Sequence, residues 1–440
     1  MSSLVVKTNR RKMITYVLLG LMLAVFTSGA IVFWNITAWN ILGSTPPVKK
    51  LAGTDLGNPS YGVKNASVYY RVEDGYNVTY VEVIVPRCHW TTFNPVLILS
   101  STNTVPAILK AVSISGPYLS QLSTDISIAG VLQVRVTSGS ISQSSGPPVS
   151  LPSSAGLRVL IGSGAPLGVE VARLETWLLY NYSNARVSQK IVWIFKTPSS
   201  PPRVVIFYNG FESGTLTGWQ YTNYAYAEQK IKDVKVTETC WADVFPVPQT
   251  ITDTTRPVAG SWLAWIGFRN QVACEPVPAR DDYLQTAVNV PSSIDGVEVR
   301  FVNVTFWWRF LTWDSANYDY INLVLSKGAT TYYFKQRYNP NPGDNYGAFK
   351  DTGWQRNSTI FSGLAGSTAT LTFLLHTYSD QYYRSWLYVD EVYFIAVFDC
   401  IPAYVDPILY STQQSRVQQV QSTQKASVEG IGATPLISGR

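Results

Sequence analysis

The residues able to do acid, base or metal chemistry are few in this chain and stand apart. Histidine occurs only at His89 and His376, so neither a cage of imidazoles nor a relay between several of them can be assembled. The cysteines, Cys88, Cys240, Cys274 and Cys400, show no Cys-x-x-Cys spacing, which argues against zinc. Cys88 and His89 are adjacent, and adjacent strand residues point to opposite faces, so they do not form a nucleophile and its base. No Gly-x-Ser-x-Gly, no phosphate-cradling glycine loop and no His-Glu-x-x-His is present. Asp281-Asp282 and Asp390-Glu391 are adjacent acidic pairs, and Asp319 with Glu212 exemplifies a glycosidase pair that only distant strands could assemble. Enzymatic activity is not expected, and no catalytic residue is assigned.

Recognition chemistry is better supplied. Flat apolar sugar faces stack on aromatic rings while sugar hydroxyls bond to neighbouring polar groups. Trp307 with Arg309, Trp313 with Asp314, Tyr332 with Gln336 and Trp354 with Gln355 have that composition. The competing role of each ring is packing, because large aromatics fill sandwich cores and rims. The ligand-binding candidates are therefore Trp307, Arg309, Trp313, Tyr332 and Trp354, facing a carbohydrate or a cell-surface protein.

The elements that must position these residues are strands. Of 440 residues, 46% are apolar, 14% charged and 13% aromatic, with 30 Gly and 25 Pro, a mixture suited to pleated strands and tight turns. Low charge excludes disorder for the bulk, and the length calls for more than one domain. The formal +6 is dispersed apart from Lys7, Arg10, Arg11 and Lys12, so nucleic acid is not an expected partner. Residues 13–34 carry no charge and, at about 1.5 Å per helical residue, match a hydrocarbon slab of about 30 Å. They predict a membrane anchor or uncleaved signal that places the following bulk outside the cell. Cleavage near Thr27 to Ala30, or prepilin-like cleavage after Lys12, stays open. Asn65, Asn77, Asn181, Asn303 and Asn357 each open a glycosylation sequon, in keeping with export.

The fold class read from this pattern is all-β: an N-terminal transmembrane or signal helix, then two β-sandwich domains. Residues 1–12 form a basic cytoplasmic segment, 13–34 the anchor and 35–60 a stalk. Residues 61–196 read as a β-sandwich, with a hairpin around Glu73-Asp74-Gly75 and strands near 96–99, 107–114, 131–136, 157–161, 169–179 and 190–196. Residues 137–154 read as a polar serine-rich loop. The proline cluster of 197–202 makes a stiff linker, and 401–440 a polar, glutamine-rich tail. In the second domain Val302, Val304, Phe306, Trp308 and Phe310 share one face, opposite Asn303, Thr305, Trp307 and Arg309. Cys240 and Cys274 could staple one loop-rich region, leaving Cys88 and Cys400 to join the two halves or stay free.

In order, Phe211-Glu212-Ser-Gly, Gly218-Trp219, Gly260-Ser-Trp262-Leu-Ala264 and Tyr388-Val-Asp390-Glu391-Val392 span residues 203–400. This succession resembles the MAM-like and carbohydrate-binding-module-like jelly rolls of exported proteins. The resemblance implies a jelly roll in the second domain, no coverage of the first, and a possible structural calcium held by Glu212 and Asp390, where the first and last strands meet. Together these readings give a membrane-anchored cell-surface protein with a non-catalytic module for carbohydrate or surface-partner binding. Two alternatives remain: a self-assembling subunit of a surface filament, pilus or layer, and a polymer-binding accessory subunit of an extracellular hydrolase.

Overall fold

The computed structural model describes residues 48–73, 76–182, 185–222, 224–229, 234–237, 250–253, 256–267, 279–343, 349–378 and 385–400. Segment 13–34, the 401–440 tail, Cys240 and Cys274 lie outside them. Among the described residues no helix is long and apolar enough to cross a membrane.

The first domain is a sandwich because its strands alternate apolar and polar residues, and each sheet must cover the other's apolar side. One sheet runs Val48–Ala52 beside Thr91–Ser101, then Ser153–Ile161, Leu122–Ile128, Val131–Thr137 and Ser140–Gln143. The other runs Asn65–Glu73, Tyr76–Ile84, Ala185–Lys196, Glu170–Tyr182, Val105–Ser115 and Val149–Leu151, with Tyr76–Ile84 and Ala185–Lys196 parallel. Phe93, Leu97, Ile126, Val159, Leu174, Trp193 and Phe195 meet between them. Two expectations shift. The sandwich begins at Val48, inside the expected stalk, because Val48 and Lys50 point inward and the Lys50 ammonium donates to Gln189 Oε1 at 2.9 Å. The serine-rich 137–154 stretch holds short strands, since small polar residues still pair through their backbones.

The second domain is also a sandwich. Its larger sheet runs Ala225–Gln229, Trp262–Ile266, Ser385–Val397 and Phe301–Thr312, with Gln355–Ser362 and Lys350–Asp351 beyond and Arg203–Asn209 also on Ser385–Val397. The facing sheet runs Gln220–Tyr221, Arg280–Val290, Ser367–Thr377, Tyr320–Lys327 and Thr330–Tyr338. The 301–312 alternation holds: Val302, Val304, Phe306, Trp308 and Phe310 are buried in the core. The first and last strands lie side by side.

The two sandwiches are fused rather than hinged on the proline linker. The hairpin of Ser293–Ile294 and Val297–Glu298 pairs with the first domain's Thr91, and Thr92 N donates to Gly296 O at 2.9 Å. Buried Lys64 meets Asp55 at 2.7 Å and Asp295 at 3.9 Å. Arg87 grips Asp399 through both carboxylate oxygens at 2.9 and 2.8 Å. Beside that pair, Cys88 and Cys400 form a disulfide across 312 residues, taking up the joining role left open for them.

Candidate functional site

The outward face of the second domain's larger sheet can be built from its register. Tyr208 lies opposite Tyr393, Tyr393 opposite Thr305 and Thr305 opposite Ser358. In the next row Asp390 lies opposite Trp307 and Trp307 opposite Arg356. The register slips between Thr305 and Trp307, and there Glu391 takes φ 50°. Such a bulge inserts an extra residue and re-aims side chains. Here it puts Glu391 beside the tyrosines: Tyr208 donates to Oε1 at 2.8 Å and Tyr393 to Oε2 at 2.5 Å. The two rings stack at 4.6 Å, and Tyr208 remains 48% exposed. Burial, then the Glu391 carboxylate, pushes both phenols above their ordinary pKa, so they stay protonated and donate. Trp307 is half-buried and Arg356 exposed in the neighbouring row. The result is a ring surface bordered by a carboxylate, hydroxyls and a guanidinium.

A loop walls one side of this face. Glu212 accepts Ser261 N at 3.0 Å and Trp262 N at 3.1 Å, while Asp390 accepts Val258 N at 2.7 Å, Ala259 N at 3.4 Å and Glu391 N at 2.8 Å. Gly260 sits at φ +65°, and a Cβ there would lie 2.1 Å from Glu212 Oε1, so this turn requires glycine. Burial pushes Asp390 up to about 7 against the pull of its amide donors.

Glu212 and Asp390 therefore converge on one loop, as the resemblance implies, but N–H groups point at both. Calcium asks for several oxygen ligands. The groups around the pair present the positive ends of backbone dipoles instead, and no group of three or more His, Cys, Asp or Glu is placed to hold a metal among the described residues. The pair fits an amide clamp rather than a cation site.

The other sequence candidates scatter. Trp313 is 2% exposed, packed with Leu263, Trp265, Leu311, Trp386 and Tyr388, so its ring is unavailable for stacking. Tyr332 turns inward onto Phe361 and leaves Tyr333 outside. Trp354 packs against the Trp313 cluster and donates its indole N–H to Arg256 O at 2.8 Å. Arg309 is held by both oxygens of Asp351 at 2.9 and 2.5 Å, and burial notwithstanding, that pairing keeps Asp351 below its ordinary pKa. Of the five, Trp307 and Arg309 share the outward face with Tyr208, and Arg309 is committed to Asp351, which leaves Trp307 as the candidate ring there. The Asp319 carboxylate is buried and accepts from Ser385 Oγ at 2.5 Å, whereas Glu212 is committed to the loop amides, so the sequence's carboxylate pair is not brought together. His376 stacks on Tyr320 and contacts Asp281 at 2.6 Å, on the facing sheet.

Among the sequons, Asn65 and Asn181 are exposed in the first domain and Asn77 is half-buried. Asn303 lies in the outward row with Thr305 and Trp307, and its Oδ1 accepts Ser358 Oγ at 3.1 Å. Asn357 accepts the indole N–H of buried Trp308 at 2.8 Å.

No protein-family description matches the chain, and no curated protein matches it. Solved structures do. The K3 cleaved adhesin domain of Lys-gingipain from Porphyromonas gingivalis w83 aligns at 14% identity over 44% of this chain and 98% of its own, with TM-score 0.24. A carbohydrate-binding module of the β-sandwich superfamily aligns at 11% identity over 76% and 99%, with TM-score 0.19. A secreted serine protease from Vibrio cholerae aligns at 9% identity over 74% and 50%, with TM-score 0.16. At these values the likeness is one of all-β build and carries no assignment of activity.

Proposed function

We propose that this chain is an exported, membrane-anchored binding protein whose second sandwich, a jelly roll, presents the Tyr208, Tyr393 and Trp307 face to carbohydrate. One observation carries the reading: a stacked, solvent-facing tyrosine pair whose hydroxyls share Glu391, in the row next to Trp307. Rings offer the apolar sugar faces a platform, and the Glu391 carboxylate together with Arg356 and Ser358 offers hydroxyls their partners. Residues 13–34 supply the anchor, and the bulk lies outside the cell. Calcium has no part in binding.

The filament alternative needs an open sheet edge. Thr330–Tyr338 is one, but it carries Lys335 and Arg337, and charges on an edge oppose pairing with another chain. Binding of the full chain to a panel of polysaccharides tests the proposal. Tyr208→Ala and Trp307→Ala are each expected to weaken binding about tenfold or more, equivalent to about 1.4 kcal/mol, without altering the melting temperature by more than a few degrees. A panel that the wild type ignores, alongside ordered self-assembly, would move the assignment to the structural subunit.

A further inference from the structure

Lys64 has 1% of its side chain exposed and ends at the seam between the sandwiches. Its Nζ lies 2.7 Å from Asp55 Oδ1 and 3.9 Å from Asp295 Oδ1, donates to Thr92 O at 2.6 Å, and stands 4.6 Å from the centre of the Phe93 ring. Asp55 belongs to the first sandwich, whereas Asp295 sits at the turn of the second sandwich's 293–298 hairpin. That turn closes over the lysine. A Cβ at Gly296 would lie 2.8 Å from Nζ and 2.6 Å from Thr92 O.

An ion pair needs one carboxylate, and this nitrogen has two. Each is fixed through its other oxygen: Asp55 Oδ2 accepts Asn94 N at 2.7 Å, and Asp295 Oδ2 accepts Asn58 N at 2.8 Å. A buried amine, a carboxyl group held against it and a second carboxyl group able to move protons are the parts that amide formation requires. At 2.7 Å from Oδ1, Nζ is within reach of the carbon that bears this oxygen. The Asn94 N–H is placed to hold the negative charge that develops on Oδ2 when that carbon is attacked. Groups fixed side by side in this way react with effective molarities of about 10⁵ M or more. Condensation also removes a buried ion pair, and burying two charges is costly.

We propose that Lys64 and Asp55 join in an intramolecular amide bond, with Asp295 carrying the protons, so that the cross-link forms only once the second sandwich has docked. Asp295 takes a proton from the Lys64 ammonium and passes it to Asp55 Oδ1. The Nζ lone pair attacks Cγ, forming the N–C bond and placing the negative charge on Oδ2. Asp295 then moves a second proton from Nζ to Oδ1, and the Cγ–Oδ1 bond breaks with its electron pair leaving on water. One amine and one carboxylic acid give one amide and one water, Asp295 ends as it began, and no outside reactant enters. The bond closes residues 55–64 into a covalent ring between the first two strands of the chain.

Mass spectrometry of unglycosylated full chain, purified in detergent, reduced and digested with trypsin, tests this. Trypsin cuts after Lys50, Lys64 and Arg71, and an acylated Lys64 is not cut. The expected wild-type product is therefore a 51–71 peptide lighter by one water. Lys64→Met should give the 51–71 peptide at its full mass. Asp295→Asn, which keeps the shape but carries no proton, should give a 51–64 peptide at its full mass. If Asp295→Asn does not fold, the wild-type digest decides alone. A wild-type 51–64 peptide at full mass overturns the proposal and leaves an ion pair. A lost water with cleavage after Lys64 retained also overturns it, since that marks a cyclic imide at Asp55. A cross-link that persists in Asp295→Asn overturns the role given to Asp295.

Discussion

Each sandwich places a pair of cross-strand tyrosines with a glutamate on the outward face of a sheet, and the two pairs have opposite fates. In the first, Tyr69 and Tyr80 stack at 5.2 Å within 5° of parallel, and the Tyr80 hydroxyl bonds to Glu73. Arg71 lies over both rings at 5.3 and 5.4 Å, and Tyr80, at 4% exposure, packs with Val78, Val192 and Ile194. In the second, Tyr208 stands half in solvent and its glutamate bridges both hydroxyls. The same residue types thus build a sealed patch in one place and an open platform in the other. What covers a ring decides its role, more than the ring itself.

The largest expected effect divides the pairs by stability. Tyr80→Ala removes a buried ring and is expected to cost about 3 kcal/mol or more. Tyr208→Ala removes an exposed one and should cost under about 1 kcal/mol. Denaturant unfolding of the two variants measures the difference. Equal losses would make the Tyr208 pair a structural element and break the comparison.

A second contrast concerns buried charge, and it is smaller. The first sandwich buries the Lys50 ammonium against Gln189, and burial brings its pKa down to about 8 from 10.5. The folded state then holds fewer protons than the unfolded state between those values, so stability should rise with pH from about 8 to about 10.5 and be level on either side of that window. Its full span is at most about 3 kcal/mol. Lys50→Met, which fills the site without a charge, should flatten that slope and raise stability at neutral pH. Chemical denaturation at pH 7 and above pH 10 tests both halves.

Much of this was legible in residue order. Alternation in 301–312 placed Trp307 outward and Trp308 inward, because a strand's period of two leaves no other choice. The Asp390-Glu391 and Phe211-Glu212 motifs pointed to the meeting of the first and last strands. Tyr208 and Tyr393 sit within a few residues of those motifs, but Asp390 and Tyr393 are three positions apart, so strict alternation would put them on opposite faces and only the bulge brings both outward. Glu391's place between them was not readable, because the bulge that turns it outward depends on a register slip against Thr305 and Trp307. Trp313 and Tyr332 were misleading for a related reason: a ring beside a polar residue looks the same in sequence whether the next element covers it or not. The Lys64 site was hidden too, since one of its two carboxylates, Asp295, comes from the other sandwich.

The smallest expected effect concerns Arg71, the cover of the sealed pair. Removing it takes away cation–π contacts at an exposed position, about 0.5–1 kcal/mol, which thermal unfolding can register. Arg71→Ala should not turn the first sandwich into a carbohydrate site. Tyr80 would stay packed among Val78, Val192 and Ile194 with its hydroxyl on Glu73, leaving the Tyr69 ring without a second ring open to solvent or a carboxylate free to accept. Binding assays on Arg71→Ala combined with Tyr208→Ala isolate this face. Polysaccharide binding regained in that double variant would mean that a cover alone separates the two pairs; continued silence would mean that the shared, outward-facing glutamate is the second requirement.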